Sequence, residues 1–187
     1  MLPKNHSLRR WGLAALALAS ALAGVRLGAV TLQDLLNDPK MSPKHFADYF
    51  EEFDYEYGAA VQTPEAFLST RRGDCDDYAV LADYVLKRKD FQTRLIHIRM
   101  VGRVAHAVCY VTQSHAYLDY NNRHYFLTLQ RCGASIREIA SKVADSFEAN
   151  WTSASEFTYE YQENKKHFGA TVVKTDPPAS DPDLVTN

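Results

Sequence analysis

Three residues in this sequence have the types and the order suited to nucleophilic chemistry: Cys75, His106 and Asp119. An ionised thiol attacks a carbonyl carbon, an imidazole takes and returns the proton, and a carboxylate bound to the imidazole decides which ring nitrogen does so. Cys75 follows Gly73-Asp74 and precedes an apolar run, which places it in the first turn of a predicted helix. Unpaired backbone N–H groups and the helix dipole favour a thiolate there. Asp74, Asp76 and Asp77 work against it, because nearby negative charge disfavours another anion. A cation must therefore lie close to the sulfur, and a His106 imidazolium meets that need.

His106 lies early in one predicted strand and Asp119 late in the next, separated by a single turn. An even number of residues in the connecting loop puts both side chains on one face, opposite or diagonal and within reach; an odd number separates them. His115 shares the parity of Asp119 but no motif surrounds it, and His97, His115 and His124 are read as structural or exposed. The oxyanion formed on attack needs N–H donors, for which the backbone of Cys75 and the upstream Gln62, just before Thr63-Pro64, are the candidates. Cys75, His106 and Asp119 are also metal-ligand types, but the close paired spacings of zinc sites are missing. Singly, each residue has an ordinary structural explanation: a buried cysteine, a satisfied strand histidine, a turn-forming aspartate. Only the ordered set points to catalysis.

These residues need a helix and a sheet to hold them. Ser42-Pro43 is a cap followed by proline at the first helical position, and Phe46, Phe50, Phe53 and Tyr57 continue at helical spacing, predicting an amphipathic helix to about Tyr57 whose aromatic stripe is core. Thr63-Pro64 opens a short helix through Leu68, and Arg71-Arg72-Gly73-Asp74 turns the chain. Asp74 as N-cap, with Asp77 three residues on, starts a buried helix to about Lys89. Residues 94–101, 105–111 and 116–120 read as strands joined by turns at Gly102-Arg103 and Gln113-Ser114. Ser135 with Glu138 marks another helix, Phe157, Tyr159 and Tyr161 alternate as in a strand, and residues 170–173 suggest one more. Helices followed by an antiparallel sheet give an α+β class.

A chain of 187 residues that is 46% hydrophobic has the means for one domain with a real core. Its formal charge of -2, from 21 basic and 23 acidic residues spread along the chain, excludes counterion-driven binding to nucleic acid or an anionic membrane as an expectation. Lys4, Arg9 and Arg10 precede an uncharged Ala- and Leu-rich run from Trp11 to Val25, and Ala21-Leu22-Ala23 offers a small-x-small cleavage site. The expectation is a signal peptide over 1–23, a single domain over 24–175 and a disordered Pro-, Asp- and Ser-rich tail over 176–187. The rival for the first segment is an uncleaved anchor, which would be the only membrane contact. The protein is thus expected to be exported, periplasmic or extracellular. With three cysteines, Cys109 and Cys132 can bridge or remain small buried hydrophobes, and the second reading is preferred.

Gly73-Asp74-Cys75-Asp76-Asp77-Tyr78-Ala79, then His106-Ala107-Val108, then Tyr117-Leu118-Asp119 resemble the bacterial transglutaminase-like cysteine enzymes, across roughly residues 63–121. The resemblance implies a papain-like fold in which a helix carrying the cysteine packs on the sheet carrying histidine and aspartate. It implies acyl-transfer chemistry on protein or peptide amides, with water or an amine as acceptor, and no required cofactor. It also implies that Asp74 and Asp76 are candidate calcium ligands, although capping and the helix dipole account for both. The contrasting reading is a catalytically inert exported binding or scaffold module.

Overall fold

A computed structural model of the chain describes residues 30–122 and 129–175. The expected leader, the expected tail and His124 lie outside the described residues. Among the described residues, five helices and eight strands follow one another: α1 (Leu32–Asn37), α2 (Pro43–Asp48), β1 (Asp54–Tyr55), α3 (Pro64–Thr70), β2 (Arg72–Gly73), α4 (Cys75–Lys87), β3 (Thr93–Met100), β4 (His106–Val111), β5 (Ala116–Leu118), β6 (Leu129–Arg131), α5 (Ile136–Ser146), β7 (Trp151–Glu160) and β8 (Lys165–Val173). Six strands form one sheet in the order β6-β5-β4-β3-β7-β8, antiparallel throughout. The class is α+β, as expected.

Strand alternation divides the sheet's side chains between two cores. Leu95, Ala107, Cys109, Leu118 and Phe157 pack with Leu81, Val85 and other residues of α4. Ile96, Val108, Tyr110, Tyr117 and Ala154 pack with Ile139 and Val143 of α5. Burying an apolar stripe of each helix on one sheet face stabilises it by about 1.5–3 kcal/mol per large side chain, an upper estimate because the unfolded chain is not fully extended.

The predicted helix from Ser42 to about Tyr57 is shorter than expected. It stops at Asp48, because the following backbone pairs elsewhere: Asp54 N–H donates to Arg71 O at 2.9 Å and Glu56 N–H to Gly73 O at 2.8 Å, making a parallel bridge between β1 and β2. Phe46, Phe50 and Phe53 are buried regardless, and Phe50 lies edge-on to Tyr78 of α4 with ring centroids 5.2 Å apart. Tyr57, the last residue of the predicted stripe, is 65% exposed. The bridge carries the segment 54–58 alongside the start of α4, and the Tyr120 hydroxyl donates to Asp54 O at 2.8 Å, tying it to the sheet.

Candidate active site

The start of α4 is fixed by a reciprocal cap. Asp74 Oδ1 accepts the N–H groups of Asp76 at 2.9 Å and Asp77 at 3.4 Å, and Asp77 Oδ2 accepts the Asp74 N–H at 2.9 Å. Gly58 N–H donates to Asp74 Oδ2 at 3.1 Å, which adds the 54–58 segment to the cap. Cys75, the first helical residue, is 5% exposed and lines a cleft of about 210 Å³ with Tyr55, Tyr57, His97, Val104 and Lys166.

β4 and β5 are joined by the four residues Thr112–His115, an even loop. Cys109 pairs with Leu118, so continuing the register sets Asp119 opposite Val108 and diagonal to His106 on the same face. The His106 Nε2–Asp119 Oδ1 distance is 2.9 Å, with the two side chains 5% and 0% exposed. Asp119 is itself held, accepting the Asn121 N–H at 2.9 Å and the Asn122 amide at 3.0 Å. α4 delivers Cys75 from the opposite face of the sheet to where β4 begins, close enough to the His106 ring to help raise its pKa. With Nε2 facing Asp119, the nitrogen left for the sulfur is Nδ1. Phe147 closes the other side of the imidazole, ring centroids 4.8 Å apart.

Burial alone would push the His106 pKa down. The Asp119 carboxylate overrides it, with help from Cys75, and raises it to about 10. The imidazolium is thus the resting form at neutral pH, the cation that the sulfur requires. His97 goes the other way: burial first, then the Lys166 ammonium, lower it to about 4, so it faces the same cleft uncharged.

Gln62 occupies a different place from the one expected of an oxyanion donor. Its side-chain amide donates to Arg72 O at 2.8 Å and Asp77 Oδ2 at 3.0 Å, and its backbone N–H donates to Asp77 Oδ1 at 2.6 Å. Both amide hydrogens are spent bracing the α4 cap. Cys109 and Cys132 are free thiols, on the α4 side and the α5 side of the sheet respectively. His115 is exposed in the hairpin turn with a left-handed backbone (φ 46°), at the far end of β4 from His106.

Asp74 and Asp76, the candidate calcium ligands, spend most of their oxygens on partners within the protein. Calcium takes six to eight oxygen ligands, whereas both Asp74 oxygens accept backbone N–H groups and Asp76 Oδ2 lies 2.6 Å from Lys166 Nζ. Only Asp76 Oδ1, buried, lacks a hydrogen-bond partner in this pair. No group of three or more His, Cys, Asp or Glu side chains among the described residues could hold a metal ion. Sequence reading missed Lys166, His97 and Tyr55 as cleft residues; the contacts that bring them there are long-range and have no local motif.

A helix-borne cysteine thus stands beside a strand histidine that is itself bound by an aspartate, on an α+β scaffold. The chain belongs to the transglutaminase-like domain family, whose model matches residues 40–146. No curated protein matches it. Among solved structures it is similar to calcium-bound LapG of Legionella pneumophila, with 18% identity and a TM-score of 0.45 over 66% of this chain and 68% of that one. EGTA-treated LapG gives 16% identity and a TM-score of 0.43 over 73% and 76%.

Proposed function

We propose that this chain is an exported cysteine-dependent enzyme that transfers or hydrolyses acyl groups of protein or peptide amides. The observation that carries the reading is the buried His106, bonded to Asp119 at 2.9 Å and near enough to Cys75 for the sulfur to help raise its pKa. In this scheme the thiol proton resides on His106 and the Cys75 thiolate attacks the amide carbonyl carbon, forming a C–S bond and an oxyanion. The Asp74 carboxylate engages the N–H groups of Asp76 and Asp77, leaving the Cys75 N–H for that oxygen. His106 then gives its proton to the departing nitrogen as the C–N bond breaks, leaving a thioester. Water or an amine attacks the thioester, surrenders a proton to His106 and releases Cys75. Asp119 holds the ring by its hydrogen bond throughout and keeps it oriented. The acceptor determines hydrolase or transferase; the triad serves either. The basic, apolar N-terminal run supports action outside the cytoplasm.

The test is the rate of Cys75 alkylation by iodoacetamide in wild type and His106→Ala, from pH 4 to 10, with peptide mapping to separate Cys109 and Cys132. An ordinary thiol reacts appreciably only near its pKa of about 8.5. Wild-type Cys75 is expected to react well below that pH, and His106→Ala to slow it about tenfold or more at pH 6. Slow reaction at pH 6, indifferent to His106, would instead leave an inert binding module.

A further inference from the structure

Two hollows meet at a waist beside the sulfur and the imidazole. The cleft that Cys75 lines and a second hollow of about 320 Å³ that His106 lines share Tyr55, Val104 and Ala105. Cys75 borders only the first and His106 only the second, so the line from sulfur to imidazole runs out of one hollow into the other. Six large hydrophobic side chains stand exposed among the described residues, and three of them, Tyr55, Tyr57 and Val104, line this trough. Apolar surface gathered at one place, on a chain that otherwise scatters it, marks ground that a partner covers.

The chemistry says which part of a substrate lies where. The carbonyl carbon bonds to the Cys75 sulfur, so the acyl part stays on the cysteine side. His106 hands its proton to the departing nitrogen, so the segment beyond that nitrogen leaves across the imidazole. The second hollow faces that leaving segment. Met100 and Phe147 give it apolar walls, and the Phe147 ring already lies against His106. Arg103 comes from the connection between β3 and β4, which Gly102 turns with a left-handed backbone (φ 66°). Its Cζ lies 5.8 Å from the centre of the Phe147 ring, a cation–π approach that holds the guanidinium at the hollow.

Charge distinguishes the two sides. Asp74 and Asp76 line the cysteine side. On the histidine side stands the Arg103 guanidinium, charged at every relevant pH, and no Asp or Glu among the described residues lines that hollow. No salt bridge among the described residues engages Arg103 either, so its donors are available to a ligand.

We propose that the hollow formed by Met100, Arg103, Val104 and Phe147 holds the leaving segment of an extended polypeptide substrate, and that Arg103 selects segments bearing an acidic side chain next to an apolar one. This rests on the reading of Cys75 as nucleophile and His106 as proton donor. It adds a specificity-determining residue and a direction: the acyl part runs past Tyr57 and the leaving part past Arg103. An amine acceptor would enter over the same imidazole, and a lysine side chain would bring its ammonium against the same guanidinium. The site therefore favours water over lysine as acceptor.

The experiment uses the isotope-labelled full chain carrying Cys75→Ala, which keeps peptides intact. It is titrated at pH 7 with acetyl-Val-Ser-Leu-Glu-Ser-amide and with versions that have glutamine or lysine in place of the glutamate. Backbone amide shifts in the NMR spectrum report both affinity and place. The glutamate peptide is expected to bind about threefold more tightly than the glutamine peptide and about tenfold more tightly than the lysine peptide, shifting Gly102, Val104 and Asn121. Adding Arg103→Met should bring the three within about twofold, and Arg103→Glu should reverse their order, with circular dichroism to verify folding. Should the Arg103 variants not fold, the order and the place of binding in Cys75→Ala alone decide. The proposal is overturned by equal binding of the three peptides, by an order that survives Arg103→Met, by shifts confined to residues outside the hollow, or by no shift from the glutamate peptide at millimolar concentration. Failure of the enzyme reading looks different: Cys75 alkylation in the wild type is then slow and indifferent to His106, whatever order the peptides show. A reactive, His106-dependent Cys75 with no charge preference among the peptides sinks only the assignment of the hollow.

Discussion

The buried His106 imidazolium is sustained by a carboxylate 2.9 Å away, so its charge is tied to the folded state. Its pKa rises from 6.5 to about 10 on folding, burial opposing and Asp119 prevailing. A raised pKa adds stability that is fully present below the unfolded value and disappears as pH climbs through the folded one. His106→Gln, which keeps a donor but not the charge, should therefore cost about 2 kcal/mol at pH 6, and the gap should narrow towards pH 10. Thermal unfolding of both proteins across that range tests this; a gap that is constant or widens with pH would refute the ion pair. The pairing of His106 with Asp119 was legible in the sequence because strand parity is a strict rule and the loop count is even. The duty of Gln62 was not, since proximity to a cap in sequence does not say whether an amide faces a cleft or braces the cap from behind.

Among the elements, α4 depends most on its first turn. A Cβ placed on Gly73 would come within 2.5 Å of Asp77 Oδ2 and 2.7 Å of the Phe67 ring, so this glycine is required by close approach. Gly73→Ala should lower stability by about 1–3 kcal/mol, as overpacking does, and should also disturb Cys75, which the same cap positions. Denaturant unfolding together with the alkylation rate would check both; loss of stability with an unchanged rate would separate the cap from the site. Two helix starts were legible because their chemistry is local: Asp74 with Asp77, and Ser135 with Glu138, both observed as reciprocal caps. The same signal stands at Thr31 with Asp34 before α1, where it also forms a reciprocal cap. The stretch after Asp48 misled because an aromatic at every third or fourth position is equally served by an irregular segment pressed on a core, and backbone pairing with residues 71–73 outcompeted helix propensity.

For the molecule as a whole, one sheet separates two cores, and each thiol besides Cys75 belongs to a different side: Cys109 with α4, Cys132 with α5. Burial pushes the Cys109 thiol up, and that of Cys132 to about 11, so neither is a ready nucleophile at neutral pH. A reducing agent should leave the melting temperature unchanged; a fall of several degrees would reveal a bridge. The α+β class was legible because helical and strand periodicities occupy separate stretches of the chain. The outer hairpin was only partly so: β8 was expected over 170–173 and begins at Lys165, since its mostly exposed residues carry little alternation. Those first residues put Lys166 beside Asp76, a neighbour that no local pattern announces.

That neighbour also sets an order of assembly. A polypeptide emerging from synthesis presents Cys75 first, His106 and Asp119 soon after, and Lys166 only 90 residues beyond the aspartate it must meet. Closing so long a loop is among the slower events of folding. The thiol and its histidine can come together while the last hairpin is still unformed, and the lysine's charge reaches them only when that hairpin docks. A chain whose last hairpin has not yet docked therefore leaves Asp76 without its ammonium partner and the cleft without one of its walls.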